Sequence, residues 1–145
     1  VSDEEHLAAL ADAWIAATIR SNPKTGGLKA VPRSERSQLK EPVQTLIDLL
    51  MSNPDDAFRV AEFVLSRTSD PWVLANLGAG PLEDLLGTGD ESAIARVNAL
   101  AEKYPNAREA LSNVWTSHFP PQSRDALAKI LSGRAGPLGG SRKRS

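Results

Sequence analysis

The 145 residues hold 17 Lys and Arg against 18 Asp and Glu, 41% hydrophobic residues and no cysteine. That length supports one domain with a core that needs no covalent staples, and the missing cysteine excludes disulfides, thiolate metal ligands and thiol nucleophiles. The start Val1-Ser2-Asp3-Glu4-Glu5 is acidic and no apolar run approaches ~18 residues, so neither a signal peptide nor a membrane span is expected and the chain reads as cytoplasmic.

Charge is unevenly placed. Arg134, Arg142, Lys143 and Arg144 stand in residues 133–145 without an acid, which leaves 13 bases against 18 acids in residues 1–132, a net charge of −5. Duplex binding draws on clustered Lys and Arg against phosphates. An acidic body is therefore a poor nucleic-acid binder, and any such binding is expected only through the tail residues Arg142, Lys143 and Arg144.

The first predicted helix opens on a capping box, Ser2 with Glu5, carries Leu7, Leu10, Ala11, Trp14, Ile15 and Ile19 on one side, and stops before Asn22-Pro23. Residues 22–33 read as a loop by their Gly, Pro and Asn content. From Ser34 the chain turns helical as a lead-in and restarts at Glu41-Pro42, with Val43, Leu46, Ile47, Leu49 and Leu50 as an apolar stripe. Asn53-Pro54-Asp55-Asp56 combines an N-cap, a Pro at N1 and acids near the dipole. The helix it opens buries Phe58, Ala61, Phe63, Val64 and Leu65.

The central stretch, Asp70 to Gly87, is the most apolar in the chain. Asp70 is the expected N-cap before Pro71, and Leu74, Leu77, Leu82, Leu85 and Leu86 share a face. Pro81 has no N–H for the Leu77 carbonyl and its ring crowds that group, at ~3 kcal/mol in a regular interior. A kink or restart is expected there, with Gly78 and Gly80 admitting a neighbouring backbone. Gly87-Thr88-Gly89 stops the helix and Asp90 or its neighbours begin the next, with Ile94, Val97, Leu100, Ala101 and Tyr104 in period. Asn106 and Glu109 form a second expected capping box. Leu111, Val114, Trp115 and His118 are placed on one helical face, before Phe119-Pro120-Pro121. Ala126, Leu127, Ile130 and Leu131 mark a last helix, closed by Gly133 as C′ residue, and the remaining RAGPLGGSRKRS reads as disordered. No segment alternates with period two. The expectation is an all-α domain over residues 1–132, about seven helices as a compact bundle or a short HEAT-like stack of antiparallel pairs, followed by a disordered basic tail over 133–145.

Three features, namely the octapeptide Ala79-Gly80-Pro81-Leu82-Glu83-Asp84-Leu85-Leu86, the preceding Glu41-Pro42 helix and the following Ala110-Leu111-Ser112-Asn113-Val114-Trp115, resemble a family of small bacterial proteins classed as a domain of unknown function. The resemblance covers roughly residues 7–118. It differs after the octapeptide, where Gly87-Thr88-Gly89-Asp90 stands in place of a Gly–His-type turn. It implies an α-helical fold and brings no activity, cofactor or catalytic residue.

No reaction chemistry assembles from spacing alone. His6 and His118 lack acids at metal-ligand spacing, so no metal site is expected and both read as surface or packed histidines. Gly78-x-Gly80, Gly87-x-Gly89 and Lys24-Thr25-Gly26-Gly27 lack the strand context and the Gly-Lys-Ser/Thr ending of a phosphate loop. Glu83 and Asp84 read first as acids in the opening turn after Pro81, favoured by the dipole. Trp14 and Trp115 read as core, and Trp72 as half exposed. The expected role is a non-enzymatic protein-interaction module with another protein as partner, for example a bacterial immunity or toxin-neutralising protein, using Asp70, Trp72, Glu83 and Asp84, with no cofactor. The alternative is a small-ligand-binding or hydrolase-like enzyme with an acidic pocket near Glu83, Asp84 and Asp90.

Overall fold

A computed structural model describes residues 3–133, and the expectations for Ser2 and for the tail residues Arg142, Lys143 and Arg144 lie outside them. The described residues form an all-α bundle without strands: α1 (Asp3–Arg20), α2 (Arg33–Ser52), α3 (Pro54–Arg67), α4 (Pro71–Leu77), α5 (Glu83–Gly87), α6 (Glu91–Lys103), α7 (Ala107–Leu111) and α8 (Pro121–Gly133). Two short 3-10 turns, Pro23–Thr25 and Gly27–Ala30, fill the segment expected as loop.

Side-chain caps set three of the helix starts among the described residues. Asn53 Oδ1 accepts from the Asp56 N–H at 3.3 Å, Asp70 Oδ1 accepts from the amides of Trp72 (2.9 Å) and Val73 (3.0 Å), and Asp90 Oδ2 accepts from Ala93 (3.3 Å). Each satisfies amides that the first turn leaves unpaired. Asn106 departs from expectation: its side chain makes no cap bond, and its amide instead donates to the carbonyls of Leu65 (3.0 Å) and Thr68 (2.8 Å), tying α7 to the end of α3.

A restart was expected at Pro42 and a kink or restart at Pro81, and at neither does the helix restart. Pro42 sits inside α2, which runs unbroken from Arg33 to Ser52. The carbonyl it deprives of an N–H belongs to Gln38, an exposed residue, so water can satisfy that group. At Pro81 the helix continues as well, through a single π turn, Gly78–Leu82, that joins α4 to α5. The Glu83 N–H reaches the Gly78 carbonyl five residues back, so the chain passes Pro81 in a wider turn without ending the helix.

Gly78 meets the expectation of a close backbone approach: a Cβ there would stand 1.8 Å from the Ala110 carbonyl oxygen. Gly80 does not, since a Cβ there meets nothing within 4 Å.

The core joins Leu7, Ala11 and Trp14 of α1 to Val60 and Val64 of α3 and to Val73, Leu74, Leu77, Leu82 and Leu86 of the central helix. Helix α1 packs on α2, α3 and α4, α4 packs on α7, and α6 and α7 pack on α8. Helix α1, which touches three others, is the hub of the arrangement.

The segment after Leu111 corrects a second expectation. Helix α7 ends at Leu111, where the Ser112 hydroxyl (2.6 Å) and the Asn113 amide (3.0 Å) both turn back onto the Glu109 carbonyl. Side chains that compete for helix carbonyls in this way favour termination. Trp115 therefore lies on no helical face and is 73% exposed, where a core position was expected.

Candidate functional site

A groove of about 530 Å³ lies between α1, α2 and the π turn. Trp14, Thr18 and Ser21 form its α1 side, Leu39, Val43 and Ile47 its α2 side, and Asn76, Gly80 and Asp84 line it from the central helix. Volume and chemistry suit a binding site, apolar with a few polar groups.

Helix α2 is the least covered of the long helices, with Leu46 its one buried residue among the described positions. The apolar stripe read from the sequence is real, yet much of it faces outward: Val43 is 38% exposed and Ile47 46%. Met51, one turn beyond Ile47, is 85% exposed. Of six exposed large hydrophobic side chains among the described residues, Leu28, Val43 and Ile47 line the groove and Met51 continues the stripe. Large apolar groups gathered on one face mark an interaction site far better than singly scattered ones.

Four acids and a tryptophan named from the sequence now have separate places. Asp70 caps α4. The Trp72 indole is half-buried and donates to the Thr18 carbonyl (3.0 Å) and the Ser21 hydroxyl (3.2 Å), pinning α4 against the end of α1. Glu83 Oε1 accepts from the Trp115 N–H at 2.7 Å, outside the groove lining. Asp90 caps α6, and a hydrogen bond from the Ser92 hydroxyl, with the Ala93 amide behind it, lowers its carboxyl below the usual range. Asp84 alone of these faces the groove.

The helix does not restart at Pro81, so Asp84 meets no free helix N-terminus. Its carboxyl is raised above the usual range, by desolvation against the groove wall and then by the neighbouring Glu83. More than a third of the residue's surface still reaches solvent, so the carboxylate stands at the groove edge. Neither Asp84 nor Lys40, the base on the opposite wall, makes an ion pair among the described residues.

A second, smaller hollow of about 200 Å³ lies between α3 and α6 and includes Arg59, Glu62, Arg96 and Lys103. Its charges are already matched. Arg59 pairs with Glu4 (2.5 Å) and Glu62 (3.3 Å), Lys103 with Glu62 (3.2 Å), and Arg96 with Asp55. The Arg59 and Arg67 guanidiniums also stack on the Phe63 ring, 4.2 and 4.8 Å from its centroid. This network cements α1, α3 and α6 and leaves no unmatched cation for an anion.

His6 and His118 are both exposed, and no group of three or more His, Asp or Glu able to hold a metal ion occurs among the described residues. No helix among them is long and apolar enough to cross a membrane. The groove was missed by sequence reasoning because three separated segments build it. The exposed end of the α2 stripe carried a usable signal, in that Met51 extends the apolar period beyond Ile47.

Residues 31–135 match a family described as a family of unknown function (DUF6869). The span holds α2 through α8, with the groove wall of α2 and the π turn, and starts later and ends later than the sequence resemblance. No curated protein matches the chain, and no solved structure matches it.

Proposed function

We propose that this chain, which belongs to the DUF6869 family, is a non-enzymatic helical protein-interaction module whose docking face is the α2 groove. The observation that carries the reading is the clustering of Leu28, Val43, Ile47 and Met51 on that one face. Their burial in a complex would supply ~25 cal/mol per Å² of apolar surface covered. The groove also exceeds a closed small-molecule pocket, since the stripe continues along α2 beyond it.

The net charge of −5 over residues 1–132 favours a basic protein as the further partner of the acidic outer surface, by steering and by complementarity. Within this class, neutralisation of a basic toxin in a bacterial cytoplasm is the specific role that the charge fits.

A photo-crosslinking amino acid placed at Ile47, with Ala128 on the exposed side of α8 as control, tests the docking face in the native cell. Discrete protein adducts from position 47 and none from 128 are expected. Equal labelling at both positions, or no protein adduct at 47, overturns the reading.

The place of Asp84 on the lining of a largely apolar groove favours a second reading, in which the groove takes a small lipophilic cation. Native mass spectrometry of the purified chain checks it: a bound small molecule displaced by Gly80→Leu supports this alternative, and a bare chain removes it.

A further inference from the structure

We propose that the occupant of the groove is a second copy of the chain, docked through a two-fold axis that sets the α2 helices side by side and antiparallel, with Lys40 of each copy against Asp84 of the other. The inference rests on the interaction reading above and goes beyond it by naming the partner.

A two-fold contact uses one patch twice, so the patch must be its own complement. A groove built for a foreign basic segment needs only acids. This one presents one acid and one base on opposite walls, Asp84 on the central helix and Lys40 on α2, neither of them ion-paired among the described residues. Rotated onto itself, the patch brings each charge to its opposite, and two symmetric ion pairs flank an apolar middle.

The middle is also self-complementary. Val43 and Ile47 form an exposed ridge on α2 and at the same time one wall of the groove. From Leu39 to Leu50 the lining of α2 extends about 17 Å at 1.5 Å per residue, close to three helical turns. A helix laid beside it from a second copy matches that length, and Met51, otherwise stranded at 85% exposure, gains cover at the end of the ridge. Gly80 keeps the floor open: a Cβ there would meet nothing within 4 Å, and a larger side chain would take up the space the partner needs.

Sedimentation equilibrium on the full chain tests this, with circular dichroism confirming that each variant is folded. A monomer–dimer equilibrium is expected. Lys40→Glu or Asp84→Lys alone sets like charges across the axis and should weaken the dimer about tenfold or more. The double variant restores opposite charges and should return to within about threefold of the parent. Gly80→Leu and Ile47→Asp should both give monomer, whereas Asp125→Lys with Lys129→Glu on α8 should change nothing.

A monomer at all concentrations, or single and double charge variants of equal strength, overturns the second-copy inference. If the monomeric chain still gives protein adducts from Ile47 to a different protein, the interaction reading stands and only the identity of the occupant falls. A monomer without adducts removes both.

Discussion

Gly78 and Ala110 touch through bare backbone: a methyl group on the glycine would stand 1.8 Å from the Ala110 carbonyl oxygen and 2.7 Å from its carbon. No rotamer relieves that overlap, because both groups belong to helices locked in the core. Gly78→Ala must therefore push α4 and α7 apart, at a cost of about 3 kcal/mol. Gly80→Ala, two residues away in open space, should be neutral or stabilising by up to ~1 kcal/mol. Urea denaturation of the two variants checks the contrast, and equal effects would mean that α4 and α7 do not meet in this way.

Ser123 is fully buried and its hydroxyl donates to the Leu86 carbonyl at 2.6 Å, joining α8 to the end of the central helix. Ser123→Ala removes that bond, while the Gly89 amide still serves the carbonyl. The expected loss is about 1 kcal/mol, the usual net worth of one such bond. Ser123→Val should cost more, since the site is closed on all sides. Thermal melts of both variants test the order.

Removing the cap of the central helix gives a loss of similar size. Asp70→Ala frees two amides, those of Trp72 and Val73, and should destabilise by ~1 kcal/mol. Asp70→Asn should retain most of the stability, because the cap bond needs an acceptor oxygen and only secondarily its charge. A loss for Asn as large as for Ala would contradict the capping role.

Acid should act on Glu62 and Asp84 in opposite directions. Burial raises the Glu62 carboxyl, the hydrogen bonds from Lys103 and Tyr104 lower it, and the net shift is downward. A lowered carboxyl contributes stability above its unfolded pKa and loses it as pH falls through the folded value. Glu62→Gln should therefore be less stable than the parent at neutral pH and level with it in acid. Asp84 is raised, so its ionised form opposes folding of the isolated chain and protonation relieves the opposition. Asp84→Asn should be slightly more stable at neutral pH, with the advantage disappearing as the parent is titrated. Melting temperatures across the acid range, at a concentration where the chain is monomeric, read both signs.

Helix positions were legible where local chemistry decides them. Asn53 and Asp70 cap as their sequence contexts predict, and the buried faces of α3 and α6 follow the apolar period through Val64 and Val97. Local rules failed where the penalty they assign had another outlet. At Pro81 a kink or restart was expected because an interior proline costs a hydrogen bond, and the helix instead runs on through a π turn with one pairing shifted to five residues. Trp115 was assigned to a core face by extending a 3.6-residue period past Leu111, while Ser112 and Asn113 were already closing the helix onto the Glu109 carbonyl.

The groove lay beyond such rules altogether. Its walls come from α1, α2 and the central helix, and only their packing brings Thr18, Val43 and Asp84 around one space. The sequence named Glu83 and Asp84 together because they are adjacent. The backbone separates them, sending one to the Trp115 amide and the other to the groove.

The π turn makes chain length itself a determinant of what the surface displays. Loss of one residue between Gly78 and Leu82 would leave an uninterrupted α-helix yet rotate all that follows by about 100°. Leu85 and Leu86 would swing out of the interior and Asp84 away from the opening beside α2. A chain one residue shorter at this point would therefore display a differently arranged surface on similar rods, and a single-codon deletion is enough to make that change.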